Sequence, residues 1–175
     1  HLALSESLLQ VVETEQLFLH FQPKYQLSDG ELVGCEALLR WQHPEFGLIS
    51  PALFIPIAER EGQVIDIGYW VLRQTLSVIK RWQSQGVKSV RCAVNISGKQ
   101  LMDQKFVENA LQMIHKSGID PDWLEFELTE TFLLENLEEC GRQLSKLKQQ
   151  GVHLAIDDFG SGYASLTYVN KLPVD

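Results

Sequence analysis

The sequence predicts an α/β fold built on parallel strands, and three observations carry that prediction. Three segments share one pattern: KRWQSQGVKSVRCAVNIS, MIHKSGIDPDWLEFELTE and KLKQQGVHLAIDDFG each pass from the polar end of a helix through a glycine into a strand-like apolar run that ends in acidic or amide residues. The glycines are Gly86, Gly118 and Gly151, 32 and 33 residues apart. A helix commonly ends on a left-handed residue, and glycine takes that conformation freely. The segments before them have helical periodicity: Phe106, Val107, Ala110, Leu111 and Ile114 share one face, as do Leu137, Cys140, Leu144 and Leu147. Units of about thirty residues that alternate strand and helix are the spacing of right-handed βαβ crossovers.

Taken in order, a leading helix is expected near 3–15, then strands near 17–26 and 32–41. The turn Ser28-Asp29-Gly30 joins these two strands without a crossover helix, so they form an antiparallel hairpin. Helices follow near 52–61 and 64–85, where Ile67, Val71, Thr75, Val78 and Trp82 make a stripe. A strand at 90–96, a helix at 104–117, a strand at 123–129, a helix at 134–150 and a strand at 152–157 complete the repeats, with a short helix near 163–171. Residues 1–16 are read as a leading segment and 17–175 as the first five strands of one barrel-like domain. These stripes are read first as core packing.

Composition narrows the classes. The chain has 175 residues, 45% hydrophobic and 22% charged, enough apolar content to bury a core and too much for disorder. Its net charge is −8 and no basic run stands out, which argues against a duplex nucleic-acid surface. A phosphate ligand remains compatible if divalent cations stand between it and the carboxylates. No membrane span or signal peptide is read, so no membrane contact is expected from this segment. Cys35, Cys92 and Cys140 are odd in number and far apart, which points away from a disulfide framework and towards the cytoplasm. The five histidines show no zinc spacing.

The informative residues are polar ones in otherwise apolar strands. Side chains alternate between faces, so Phe126 and Leu128 face one side while Glu125, Glu127 and Thr129 face the other. By the same alternation Asn95 faces with Ala93 and Ser97, Asp157 with Ala155 and His153, and Glu36 with Arg40. Four strands thus each deliver a carboxylate or amide near the C-terminal end, where α/β barrels and open α/β sheets place their sites. Glu36, Asn95, Glu127 and Asp157, with Asp158 alongside, are either a ring of oxygen ligands suited to Mg²⁺ or Mn²⁺ or separate strand-end ion pairs. Taken as a set of four, they favour the ring. Arg40 either clamps a phosphate or neutralises Glu36. Gly160-Ser161-Gly162 is either a phosphate cradle or a tight turn. Trp41-Gln42-His43-Pro44 reads as a loop with His43 at the surface.

At these residues the sequence resembles the EAL-domain cyclic di-GMP phosphodiesterases of bacteria. The resemblance is carried by Glu36-Ala37-Leu38 within CEALLRWQHPEFGLISPALFIPIAER, by Gln22-Pro23, Asn95-Ile96-Ser97, Glu127-Leu128-Thr129-Glu130, the run Asp157 to Tyr163, and Leu172-Pro173-Val174-Asp175. It covers nearly every residue from about 17 onward. The resemblance implies a modified TIM barrel with an antiparallel first strand and hydrolysis of cyclic di-GMP to linear pGpG with two Mg²⁺ or Mn²⁺ ions. Glu36, Asn95, Glu127 and Asp157 would hold metal, and Asp158 would serve the second metal and its water. Glu36, Asp157 and Asp158 are the implied catalytic set. Gln22, Leu38 and Arg40 would contact the dinucleotide. Glu130 would anchor the loop containing Phe159 and Gly160, which the resemblance links to a homodimer.

The family pattern also places a lysine, a glutamate and a glutamine beyond Leu-Pro-Val-Asp, past residue 175. The expectation is therefore the front two-thirds of a barrel, weak or inactive by itself. Two readings follow: a phosphodiesterase, or an EAL-like module that holds cyclic di-GMP or a protein partner without turnover.

Overall fold

The computed structural model describes residues 2–88, 90–157 and 172–175. After a helix at Leu2–Leu8 (α1) and a 3₁₀ turn at Val11–Glu13, Leu17–Tyr25 (β1) pairs antiparallel with Leu32–His43 (β2). Gly47–Ile49 (β3) folds back on Trp41–His43. Helices Pro51–Glu61 (α2) and Val64–Ser84 (α3) lead to Arg91–Asn95 (β4), and Gly98–Met102 (α4) and Gln104–Ser117 (α5) lead to Leu124–Thr129 (β5). Glu130–Glu135 (α6) and Leu137–Lys148 (α7) lead to His153–Asp157 (β6). The sheet order is β1-β2-β4-β5-β6, with every neighbour after the β1–β2 hairpin parallel and β3 beside β2.

Local chemistry explains the boundaries. Pro51 opens α2 directly after Ser50, a position where the missing amide costs nothing. Helix α5 begins on Asp103, whose side chain accepts from the Phe106 amide at 2.9 Å. It ends on Gly118 at φ +63, and Gly86 and Gly151 also have positive φ, as the repeat requires. The outward faces of the strands form the core with the helices: Cys92, Val94, Phe126, Leu128 and Leu154 are buried against helix residues such as Leu72, Ile79, Val107 and Leu144.

Several expectations change. The leading helix stops at Leu8 and gives way to the 3₁₀ turn, while Leu8 and Val11 still insert into the core. Helix 134–150 is two helices that begin at Glu130, directly after Thr129. Trp41–His43 is strand rather than loop, because β3 supplies a partner, and His43 is buried rather than superficial. Its Nε2 lies 2.9 Å from Ser7 Oγ, and its Nδ1 accepts from the amides of Glu45 and Phe46 at 3.1 and 3.3 Å. Helix α4 was not anticipated, although Ser97 and Gln100 form a reciprocal capping box. The short helix expected at 163–171 lies outside the described residues.

Candidate active site

The parallel register sets the site. Glu36 lies level with Gln22 on one side and Ala93 on the other. One pleat further along, Asn95 lies level with Glu127, and one pleat beyond that Thr129 lies level with Asp157. Glu36, Asn95, Glu127 and Asp157 therefore climb the inner face as a staircase, the stagger expected of strands tilted in a barrel. Asn95 Nδ2 donates to Glu36 Oε1 at 2.7 Å, which joins the first two steps directly.

Glu127 is the buried member, at 8% exposure, whereas Asn95 and Asp157 are exposed. Burial pushes its carboxyl up from the ordinary range; the hydrogen bond and charge of Lys24 oppose this, and the charges of Glu36 and Glu125 add to it. Lys24 donates to Glu127 Oε1, and its Nζ also lies 3.6 Å from Glu125 Oε1. Arg91 Nη1 approaches the other oxygen of Glu125 at 3.6 Å. Burial alone would lower the Lys24 pKa, but its hydrogen bond to Glu127 and the charges of Glu127, Glu125 and Glu36 outweigh it and raise the pKa.

Sequence reasoning missed Lys24. The signal was available, since Lys24 stands two residues from Gln22 on the same strand and shares its face. Gly34 lies opposite Lys24 in the hairpin, where the backbone of β4 comes close: a Cβ there would meet the Arg91 carbonyl at 2.8 Å.

Leu38, Arg40, Asn95, Glu127 and Thr129 line a cavity of about 540 Å³ that continues between the sheet and α2, α3 and α4. That volume is in the range of small-molecule sites. Its walls include Ile55, Val71, Phe106 and Phe132, flat or branched apolar surface beside the polar staircase. Arg40 Nη1 donates to the Leu39 carbonyl at 2.8 Å, and its side chain lines the cavity. Gln22 is exposed at the level of Glu36. Glu130 is buried at the start of α6. Asp158, Phe159, Gly160 and the Gly-Ser-Gly run lie outside the described residues.

The donor set, three carboxylates and an amide oxygen, suits a hard divalent cation. Among the described residues, no three His, Cys, Asp or Glu side chains converge as a ready cation cage. Lys24 and the Asn95 amide group instead satisfy the oxygens of Glu127 and Glu36. The residue types fit a metal, and the present rotamers face one another.

A sheet of parallel strands behind an antiparallel hairpin, with acidic and amide side chains at the strand ends, defines a TIM-like barrel domain. The EAL domain pattern matches residues 4–175, and the chain belongs to the EAL domain family. It is 38% identical over 169 residues to the cyclic di-GMP phosphodiesterase PA2567 of Pseudomonas aeruginosa, covering 96% of this chain and 29% of that protein. It is 38% identical over 172 residues to the bifunctional diguanylate cyclase/cyclic di-GMP phosphodiesterase MucR of the same organism, covering 98% of this chain and 25% of that one. The chain thus spans under a third of these relatives' length. Among solved structures, the MucR phosphodiesterase in complex with cyclic di-GMP superposes with a TM-score of 0.94 at 37% identity, covering 99% of this chain and 70% of that one. The EAL domain of FimX superposes at 0.88 with 23% identity, a likeness of fold.

Proposed function

We propose that the protein carrying this domain hydrolyses cyclic di-GMP to linear pGpG. The observation that carries the reading is the staircase of Glu36, Asn95, Glu127 and Asp157 opening beside an apolar-walled cavity. The family's relatives named as cyclic di-GMP phosphodiesterases support it.

The side chains that would hold Mg²⁺ or Mn²⁺ are Glu36, Asn95, Glu127 and Asp157, with Asp158 at a second ion. Such ions lower the pKa of bound water and neutralise charge on a phosphodiester in displacement. The chain's own contribution is position. The Glu36–Asn95 hydrogen bond fixes two donors relative to each other across neighbouring strands. Glu127 is buried and accepts from Lys24, which holds its carboxylate in place. Leu38 and the apolar cavity wall offer surface for a guanine ring, Arg40 lines the same cavity, and exposed Gln22, level with Glu36, offers a further polar contact for the dinucleotide. Asp158, next to Asp157, accepts the proton of the attacking water in this reading.

The test is product analysis of the whole protein with cyclic di-GMP in EDTA, then with Mg²⁺ or Mn²⁺ restored. Metal-dependent appearance of pGpG supports the reading. Tight binding of cyclic di-GMP with no pGpG under any metal would establish the receptor alternative instead. A homodimer involving Phe159 and Gly160 and anchored by Glu130 belongs to the same reading, and light scattering would check it. Three free, buried cysteines support a cytoplasmic setting.

A further inference from the structure

We propose that Lys24 is a resident cation of the site: its ammonium sits between Glu127 and Glu125 and gives way when a divalent ion enters, so that it sets how tightly metal is held. The inference rests on the metal reading above.

Three observations carry it. Lys24 projects from β1 to the same inner face as the staircase, opposite Gly34, and donates to Glu127 Oε1 while lying 3.6 Å from Glu125. The oxygen it occupies belongs to the most buried member of the staircase. Asn95 shows the same pattern independently, turning its NH₂ group rather than its carbonyl onto Glu36 Oε1. Both carboxylates are therefore satisfied by N–H donors. A divalent ion at either oxygen must displace a donor or share the carboxylate with it. An ammonium beside the same carboxylate repels the incoming ion, and in a half-buried site that repulsion is weakly screened. A lysine is charged at neutral pH, so the repulsion is present there. Arg91 remains beside Glu125 at 3.6 Å, so removal of Lys24 does not strip Glu125 of its other cation.

The experiment titrates Mn²⁺ into the whole protein by calorimetry for the wild type, Lys24→Met, Lys24→Gln and Lys24→Arg, and measures the Tm of each in EDTA. The neutral variants are expected to bind Mn²⁺ about tenfold more tightly, because the competing positive charge is gone, and to melt several degrees lower in EDTA. Lys24→Arg is expected to keep the wild-type affinity. Neutral variants that bind Mn²⁺ equally or more weakly would overturn the proposal, since a lysine that only packs or orients Glu127 gives that result. If the Met variant does not fold, the Gln and Arg pair carries the comparison. A wild type that binds no Mn²⁺ would overturn the metal reading and this inference together. Metal-binding wild type with unaltered neutral variants overturns this inference alone.

Discussion

The two faces of the same strands obey different rules. On β5, Phe126 and Leu128 point out to the helices and are 1% and 2% exposed, while Glu125 and Glu127, one residue away on the same strand, point in and meet Lys24 and Arg91. On β4, Cys92 and Val94 are buried outward and Asn95 is exposed inward. The outward face packs mainly against apolar helix residues, so a substitution there changes first how well the protein folds. The inward face has polar partners, and a substitution there probes the proposed binding instead. The strand backbone is shared, yet the two roles are separable by mutation.

The largest expected effect that sharpens this contrast is on the outward side. Phe126→Ala leaves an aromatic-sized cavity in the core and is expected to cost about 3–5 kcal/mol of folding stability. Denaturant unfolding of the whole protein measures it, and a loss under about 1 kcal/mol would show that the outward face is not the core. On the inward side, Glu36→Gln keeps an oxygen for the Asn95 amide but removes a ligand charge. Cyclic di-GMP hydrolysis should fall by about a hundredfold or more, while Tm changes little. Undiminished pGpG formation with metal restored would break the functional half of the comparison.

A finer cut concerns Asp158. Its proposed work is on the attacking water, so Asp158→Asn should lower kcat by about tenfold or more while leaving the affinity for cyclic di-GMP nearly unchanged. Stopped-time product assays beside equilibrium binding separate the two quantities. Lost affinity with kcat intact would assign Asp158 to substrate binding instead.

How much of this was legible in the sequence follows from the same two faces. Alternation in strands such as LEFELTE is a period-2 signal, so the inward set on β4, β5 and β6 and the outward core could be read directly. The glycine spacing gave the helix–strand repeats. Pairing across strands is not a local property. Nothing near Arg40 announces that it turns to the Leu39 carbonyl, nor does anything near His43 announce its contact with Ser7, 36 residues away. Lys24 and its partner Glu127 are 103 residues apart. The face of Lys24 was readable from Gln22, but its partner required the register. Helix α4 was the opposite failure: Ser97 and Gln100 carry a local capping signal that the reading passed over.

The smallest expected effect tests whether the inward face is functional along its whole depth. At the N-terminal end of β6, His153 lies 2.7 Å from Asp122 and 3.3 Å from Asp175, and Asp175 also pairs with Lys148 and accepts from the Leu154 amide at 2.9 Å. These groups pair with one another rather than with an open cavity, so they act as structure. Burial alone would raise the Asp175 pKa, but the Lys148 hydrogen bond, the Leu154 amide and the charges of Lys148 and His153 hold it below its ordinary 3.8. A carboxyl with a lowered folded pKa contributes stability above its unfolded value, and that contribution is lost as pH falls through the folded pKa. The side chain is 36% exposed and solvent screens its pairs, so the contribution is about 1 kcal/mol or less. Asp175→Asn keeps an oxygen for the Leu154 amide and removes the charge. Unfolding free energies for the wild type and this variant should differ at pH 5 and converge as pH drops below about 3.8, with cyclic di-GMP hydrolysis at neutral pH unchanged. A stability difference that persisted or grew at low pH would show that Asp175 acts through packing rather than charge. A loss of hydrolysis without a loss of stability would extend the functional face to the floor of the barrel.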